Sequence, residues 1–274
     1  MATASVNSES SNIGLDFGEK IWTSMREEAA AAGRDEPMLA SYYHASILNH
    51  ASFEGAIGFH LANKLASPSV PAMVVREVFD DALAADASIV QAMYRDISAY
   101  KERDPACDKY FMPFLYFKGF HALQAYRIAH WLWSQQRHSL ALYLQNQISQ
   151  TFGVDIHPGA RIGSGIMIDH ATGVVVGETA VIDDDVSMLH AVTLGGTGCQ
   201  GGDRHPKVRR GVLISAGAKI LGNIEVGEGA KIGAGSVVLE PVPPHTTVAG
   251  VPAKVVGRPQ VESPALAMDH QLGD

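Results

Sequence analysis

Residues 154–196 read VDIHPGARIGSGIMIDHATGVVVGETAVIDDDVSMLHAVTLGG, and they keep a period of six. Aliphatic side chains mark the beat at Ile156, Ile162 and Ile168, then at Val176, Ile182, Met188 and Leu194. It resumes at Ile214, Ile220, Val226, Ile232 and Val238. Two positions before each marker stands a second small or aliphatic residue, as at Val154, Ala160, Ile166 and Val174. Gly, Ser or Asp usually follows, as at Gly163, Asp169, Gly177 and Asp183. A short fixed period is the signature of a solenoid, and a period of six specifies a parallel β-helix. Six residues make one short strand and a corner. Three such units close a triangular coil, and equivalent markers stack inside it about 4.8 Å apart along the axis. Gly and Asp suit the corners, where a positive φ or little bulk is needed. The strands of a β-sandwich come at irregular intervals with turn signals about 8–12 residues apart, which does not account for so many markers in frame.

Two interruptions stand out. Thr172 and Gly173 lengthen the step between Ile168 and Val176. Between Leu194 and Ile214 the period is lost to GGTGCQGGDRHPKVRRG, residues 195–211, rich in glycine and then in Asp203, Arg204, His205, Lys207, Arg209 and Arg210. Insertions in a solenoid become loops on one face, often the binding face, and a polar loop on a rigid scaffold is where function concentrates.

Upstream the period changes. Phe17, Ile21, Met25 and Ala29 share one stripe, as do Val90, Met93, Ile97 and Tyr100, at the spacing of an amphipathic helix. Helices are expected over about 16–32, 36–49, 52–66, 72–86, 88–102, 117–135 and 138–150, with Gly33, Pro68, Pro71 and Pro105 as punctuation. The chain thus divides into a frayed N-terminus (1–13), an all-α domain (14–152), a β-helix (153–257) carrying the loop 195–211, and a flexible tail (258–274). The helices would cap an open solenoid end, which otherwise exposes unpaired strand edges.

The 274 residues are 46% hydrophobic and 18% charged with a net charge of −8. Such a composition is globular, and its sign disfavours nucleic acid and anionic membranes as partners. No apolar run approaches the roughly 18 residues of a membrane helix, and the polar start lacks a secretory pattern. Two cysteines, Cys107 and Cys199, make no disulfide framework, so a cytoplasmic location is expected.

The blocks DIHPGARIGSGIMIDHATGVVVGET, VTLGGTG, GGDRHPKV and PVPPHTTVAGVPAKVVG, with DPACDKYFMPFLYFKGFHALQAYRIAHWLW upstream, resemble the serine O-acetyltransferases. The resemblance covers roughly residues 15–260. It implies a helical domain followed by a left-handed parallel β-helix, and transfer of acetyl from acetyl-CoA to L-serine as the first step of cysteine synthesis. It also implies inhibition by L-cysteine, and trimers joined by the helical domain into hexamers. A hexapeptide-repeat acetyltransferase acting on another small acceptor is the alternative.

Acyl transfer from a thioester to a hydroxyl needs a base, a grip on the acceptor and stabilisation of the developing oxyanion. No enzyme nucleophile is required, because the thioester is already activated. An imidazole titrates near pH 6.5, and His170 is the candidate base. Asp155 is the candidate partner fixing its tautomer. Counting hexads places Asp155 at the start of a coil and His170 near its end, where they could meet. The alternative is that both merely serve turns. The resemblance implies the same pair.

Serine presents an ammonium and a carboxylate. Asp104 and Asp169 can hold the first, Arg204 can grip the second and His205 can add a hydrogen bond; all four match family positions that contact serine. For the acetyl-CoA co-substrate the resemblance points to Gly195, Gly196, Ala216 and Ala234, with Lys219 or Lys254 near the phosphates. His190 sits two residues past its marker, as His170 does, so their rings should neighbour one another on adjacent coils, bordering the site or simply forming a ladder. No metal is expected, since His157, His170 and His190 lack the spacing of γ-type carbonic anhydrases. Two departures from the family are Cys199, where a basic residue is common, and the ending Leu272, Gly273, Asp274 in place of isoleucine. The second makes a complex with O-acetylserine sulfhydrylase unexpected.

Overall fold

The computed structural model describes residues 5–198 and 201–272, with side chains from residue 17 onward. Cys199, singled out above, lies outside them. The helical part runs α1 (Ser5–Asp35), α2 (Ala40–Tyr43), α3 (Phe53–Leu65), α4 (Ala72–Ala85), α5 (Ala87–Arg103), α6 (Phe111–Tyr116), α7 (Lys118–Ser134) and α8 (His138–Phe152). The apolar stripes face inward: Ile21, Met25 and Ala29 of α1 and Met93, Ile97 and Tyr100 of α5 are all buried. Three expectations are corrected. The first helix begins at Ser5, inside the stretch expected to be frayed. The segment expected as one helix over 36–49 is a 3-10 turn at Pro37–Leu39, then α2, then a π-turn at His44–Leu48. α6 was not anticipated, because six residues containing Pro113 are too short to show a period.

The strands follow in chain order: β1 (Val154–Ile156), β2 (Arg161–Ile162), β3 (Met167–Ile168), β4 (Val174–Val176), β5 (Val181–Ile182), β6 (Ser187–Met188), β7 (Thr193–Gly195), β8 (Lys207–Val208), β9 (Leu213–Ile214), β10 (Lys219–Leu221), β11 (Glu225–Val226), β12 (Lys231–Ile232), β13 (Val237–Val238), β14 (Thr247–Ala249) and β15 (Lys254–Gly257). They form three parallel faces, ordered β1-β4-β7-β10-β13, β2-β5-β8-β11 and β3-β6-β9-β12-β14, with β15 added antiparallel to β14. Successive strands occupy successive faces, which is the left-handed β-helix that the period of six implies. The register stacks the markers: Ile156 on Val176 on Leu194 on Ile220 on Val238. Those side chains are at most 2% exposed.

The first coil would expose its lower edge, and the helical domain closes it with polar side chains. The Tyr126 hydroxyl donates to the Ala160 carbonyl at 2.5 Å. Arg127 donates to the Gly163 carbonyl at 2.7 Å, and the Ile166 N–H donates to Asp96 at 2.9 Å. Asp96 and Arg127 are themselves a buried ion pair at 2.7 Å. Removing one partner of such a pair costs about 3–5 kcal/mol, so this junction fixes the helical domain to the solenoid.

The tail, expected to be flexible, instead packs back onto the face β3-β6-β9-β12-β14. A short helix, α9 (Pro264–Ala267), brings the buried Ala265 against it, where the Ser187 hydroxyl donates to the Ala265 carbonyl at 2.9 Å. Farther along, Lys231 binds the Asp269 carboxylate at 3.2 Å and the Gln271 carbonyl, and Ser215 meets His270 at 2.8 Å. Lys231 is 2% exposed. An ammonium is tolerated there because the tail supplies the oxygens that water would otherwise provide. A segment held by scattered polar contacts carries no sequence period, so periodicity could not reveal it.

Candidate active site

One edge of the prism, where the chain passes from β3 to β4 and from β6 to β7, carries the first half of the site. Thr172 and Gly173 widen this corner. His170 and Ala171 adopt φ of 57° and 61°, a left-handed conformation that L-residues adopt only where the surroundings impose it. The Thr172 N–H donates to the His170 carbonyl at 2.8 Å, and the Gly173 N–H to the Gly153 carbonyl at 2.7 Å. The turn throws the His170 side chain outward to 74% exposure, with its Nε2 3.6 Å from an Asp169 carboxylate oxygen. His190 stands one coil above, its ring centroid 6.0 Å from that of His170.

The helical domain supplies the floor. Asp104 ends α5 and accepts the Ala106 N–H at 2.8 Å. It lines a cavity of about 380 Å³ together with Tyr116, Lys118, Asp169 and His170. The Lys118 ammonium donates to the Thr172 hydroxyl, tying α7 to the widened corner. Two carboxylates beside an exposed imidazole can receive a small molecule bearing an ammonium and a hydroxyl.

The second half lies on a different edge, where β1 passes to β2, β4 to β5 and β7 to β8. The Arg204 guanidinium donates to Glu178 at 2.7 Å, and its backbone N–H to the Thr179 hydroxyl at 3.0 Å. That ion pair holds the Glu178 carboxyl below its ordinary value, the hydrogen bond from Arg204 being the main cause. His205 is buried, and its Nδ1 accepts the Thr179 N–H at 3.2 Å. A backbone N–H can only donate, so in the neutral ring Nε2 carries the proton. Burial, aided by the neighbouring Arg204 and Lys207 cations, lowers the pKa of this imidazole and so favours the neutral form. His205 is thereby set as a hydrogen-bond donor through Nε2, beside Arg204. Lys207 braces the loop by donating to Asp203 at 2.6 Å and to the Thr179 carbonyl at 2.9 Å.

The sequence-derived residues therefore fall into two groups. Asp104, Asp169, His170 and His190 share one edge. Ala216 and Ala234 continue that edge upward, since the Gly217 N–H donates to the His190 carbonyl and the Gly235 N–H to the Ala216 carbonyl. Lys219 begins β10 just past this edge, its ammonium on the Ala191 carbonyl. Lys254 is exposed on β15. Gly195 and Gly196 lead into the second edge, where Arg204 and His205 stand. The face bearing β4 separates the groups, and among the described residues no hydrogen bond or ion pair joins them. Asp155 projects from that intervening face and accepts from Gln145 at 2.7 Å; within one chain it makes no hydrogen bond to His170. Sequence reasoning missed Glu178, Thr179 and Lys118. Glu178 stands two residues past its marker Val176, the place that His170 holds past Ile168, and that parallel was the available signal.

Comparison with known proteins identifies the family. Residues 21–125 match the family model described as the N-terminal region of serine acetyltransferase, and residues 205–240 match that of the bacterial transferase hexapeptide. Serine acetyltransferase of Escherichia coli K12 is 63% identical over 93% of either chain. Serine acetyltransferase from Vibrio cholerae superposes with a TM-score of 0.92 at 63% identity, covering 93% of this chain and 98% of that one. A serine acetyltransferase solved in complex with cysteine gives 0.91 at 57% identity, covering 93% and 99%. Another, solved with CoA, gives 0.85 at 59% identity over 87% and 100%, and the Neisseria gonorrhoeae protein in complex with serine gives 0.84 at 55% identity over 85% and 96%. At these identities, over nearly its whole length, the chain belongs to the serine acetyltransferase family.

Proposed function

We propose that the protein transfers the acetyl group of acetyl-CoA to the hydroxyl of L-serine, giving O-acetyl-L-serine and CoA for cysteine synthesis. The observation that carries this reading is the cavity where Asp104 and Asp169 flank the exposed His170. The carboxylates hold the serine ammonium and leave its hydroxyl beside the imidazole. His170 takes the hydroxyl proton as the serine oxygen attacks the thioester carbonyl carbon. Collapse of the tetrahedral adduct breaks the carbon–sulfur bond, and the imidazolium returns its proton to the departing thiolate. Asp155 makes no hydrogen bond to His170 within one copy, so it would orient His170 only across the groove, from the facing copy.

Arg204 and His205 complete the site by binding the serine carboxylate, and their place on the other edge of the prism gives the site its quaternary form. In a cyclic trimer of parallel solenoids, the edge carrying His170 of one copy faces the edge carrying Arg204 of the next. Acetyl-CoA would lie in the groove between copies, its pantetheine along the column from His190 through Ala216 to Ala234, with Gly195 and Gly196 opposite and Lys219 and Lys254 toward the phosphates. The helical domains would pair two trimers. L-Cysteine has the ammonium and carboxylate of serine, so it occupies the same pocket and inhibits.

The test is thiol release from acetyl-CoA, with and without L-serine, for the wild type and His170→Ala. Serine-dependent release that falls by about 10² or more in the variant is expected. Release indifferent to serine would favour another small acceptor, and full activity in the variant would remove His170 as the base.

A further inference from the structure

The reactive corner grows out of β3, the outermost strand of its face, with β6 on one side and no strand on the other. The N–H groups of Met167 and Asp169 point toward β6 and donate to the Val186 and Met188 carbonyls, at 3.1 and 2.8 Å. The peptide groups of Ile168 therefore point the opposite way, where the next coil would be. A single hydroxyl replaces that coil. Tyr100 Oη accepts the Ile168 N–H at 3.1 Å and donates to the Ile168 carbonyl at 2.9 Å. Tyr100 is 1% exposed and lies at the end of α5, four residues before Asp104.

The corner is clamped from the same side by α7. A Cβ added at Gly119 would come within 2.0 Å of the Ile168 carbonyl oxygen and 2.9 Å of Tyr100 Oη. Only a glycine admits that approach. Two consecutive left-handed residues, His170 and Ala171, persist only when their neighbours over-determine them. Here those neighbours are Tyr100, Gly119 and the Lys118–Thr172 contact.

We infer that Tyr100 is a positioning residue of the reaction: its hydroxyl fixes the Ile168 peptide, and through it the direction in which Asp169 and His170 leave the strand. This rests on the reading of His170 as the base. Burial raises the Tyr100 phenol far above its ordinary value. It therefore stays protonated wherever the enzyme works, and donates to the carbonyl at every such pH. Tyr100 itself need not touch substrate.

A comparator of the same chemistry is present. Tyr126, also 1% exposed, seals the same solenoid end by donating to the Ala160 carbonyl, which does not lead into the His170 corner. The experiment compares Tyr100→Phe, Tyr126→Phe and His170→Ala in the full-length protein, with kcat, KM for each substrate and thermal midpoint. Tyr100→Phe should lower kcat about tenfold, as small misplacements of a catalytic group do, with KM for acetyl-CoA within about twofold of wild type. Tyr126→Phe should lose comparable stability and keep kcat. Unchanged kcat in Tyr100→Phe, or equal losses of kcat in both tyrosine variants, would overturn the inference. If His170→Ala remained active, the assignment of the base would fall instead, and the comparison of the two tyrosines would then report on another group at the same corner.

Discussion

His170 and His190 meet edge to face, their planes 76° apart and their centroids separated by 6.0 Å. The contact follows from register, because Ile168 pairs with Met188 and each histidine stands two residues past its strand residue. An edge-to-face contact limits how far the outer ring can swing, and such pairs contribute about 0.5–1.5 kcal/mol.

His190→Ala is therefore expected to lower kcat about two- to tenfold, far less than His170→Ala, with KM for serine little altered. Steady-state kinetics on both variants decide this. A loss in His190→Ala as large as in His170→Ala would make His190 a proton-transferring group in its own right.

Much of this architecture is legible in the sequence, and the boundary of what is legible has a physical cause. The inward markers repeat because every coil presents the same interior, so Val176, Ile182 and Met188 announce both the strands and their stacking. The corner histidines inherit that legibility through simple counting. Counting describes one chain, however. It brought Asp155 toward His170, whereas the folded chain turns Asp155 to Gln145. Residues whose role depends on contacts across elements leave no period: Tyr100 reads only as the last position of an apolar helical stripe, and Glu178 as a corner residue. The tail is silent for the same reason, since Lys231, Asp269 and Gln271 come together only after the solenoid exists.

The separation of His170 from Arg204 by a whole face leads to a second expectation. If the site forms between copies, His170→Ala and Arg204→Ala chains, each nearly inactive alone, should complement when assembled together. In a cyclic trimer every mixed assembly contains one interface where an intact His170 faces an intact Arg204, so an equimolar random mixture should recover about a quarter of wild-type activity. Co-expression with distinguishable tags and assay of the unfractionated mixture measures it, and the purified mixed trimers should reach about a third. Recovery limited to the trace level of the separate variants would place both residues in a site within one copy.

The helical core predicts how the protein responds to acid. His60 and His121 are buried with ring centroids 5.0 Å apart. His121 Nε2 contacts the Phe114 carbonyl at 2.8 Å, so that nitrogen carries the proton. His60 Nε2 has no hydrogen-bond partner. Burial pushes His60 down to about 3, with a smaller contribution from Lys64, and pushes His121 well below its ordinary value. In the unfolded chain both titrate near pH 6.5. Below that pH the unfolded state binds protons that the folded state refuses, so stability is lost as pH falls from 6.5, and for His60 the loss levels off near 3. At pH 5 each histidine removes about 2 kcal/mol relative to pH 7.5. Thermal melts at the two pH values should show a lower midpoint at pH 5. His60→Phe, which keeps an aromatic ring against Phe114 and abolishes one titration, should roughly halve this histidine-linked loss. Equal pH dependence in the wild type and His60→Phe would mean that His60 accepts its proton without unfolding, with water reaching it between α3 and α7.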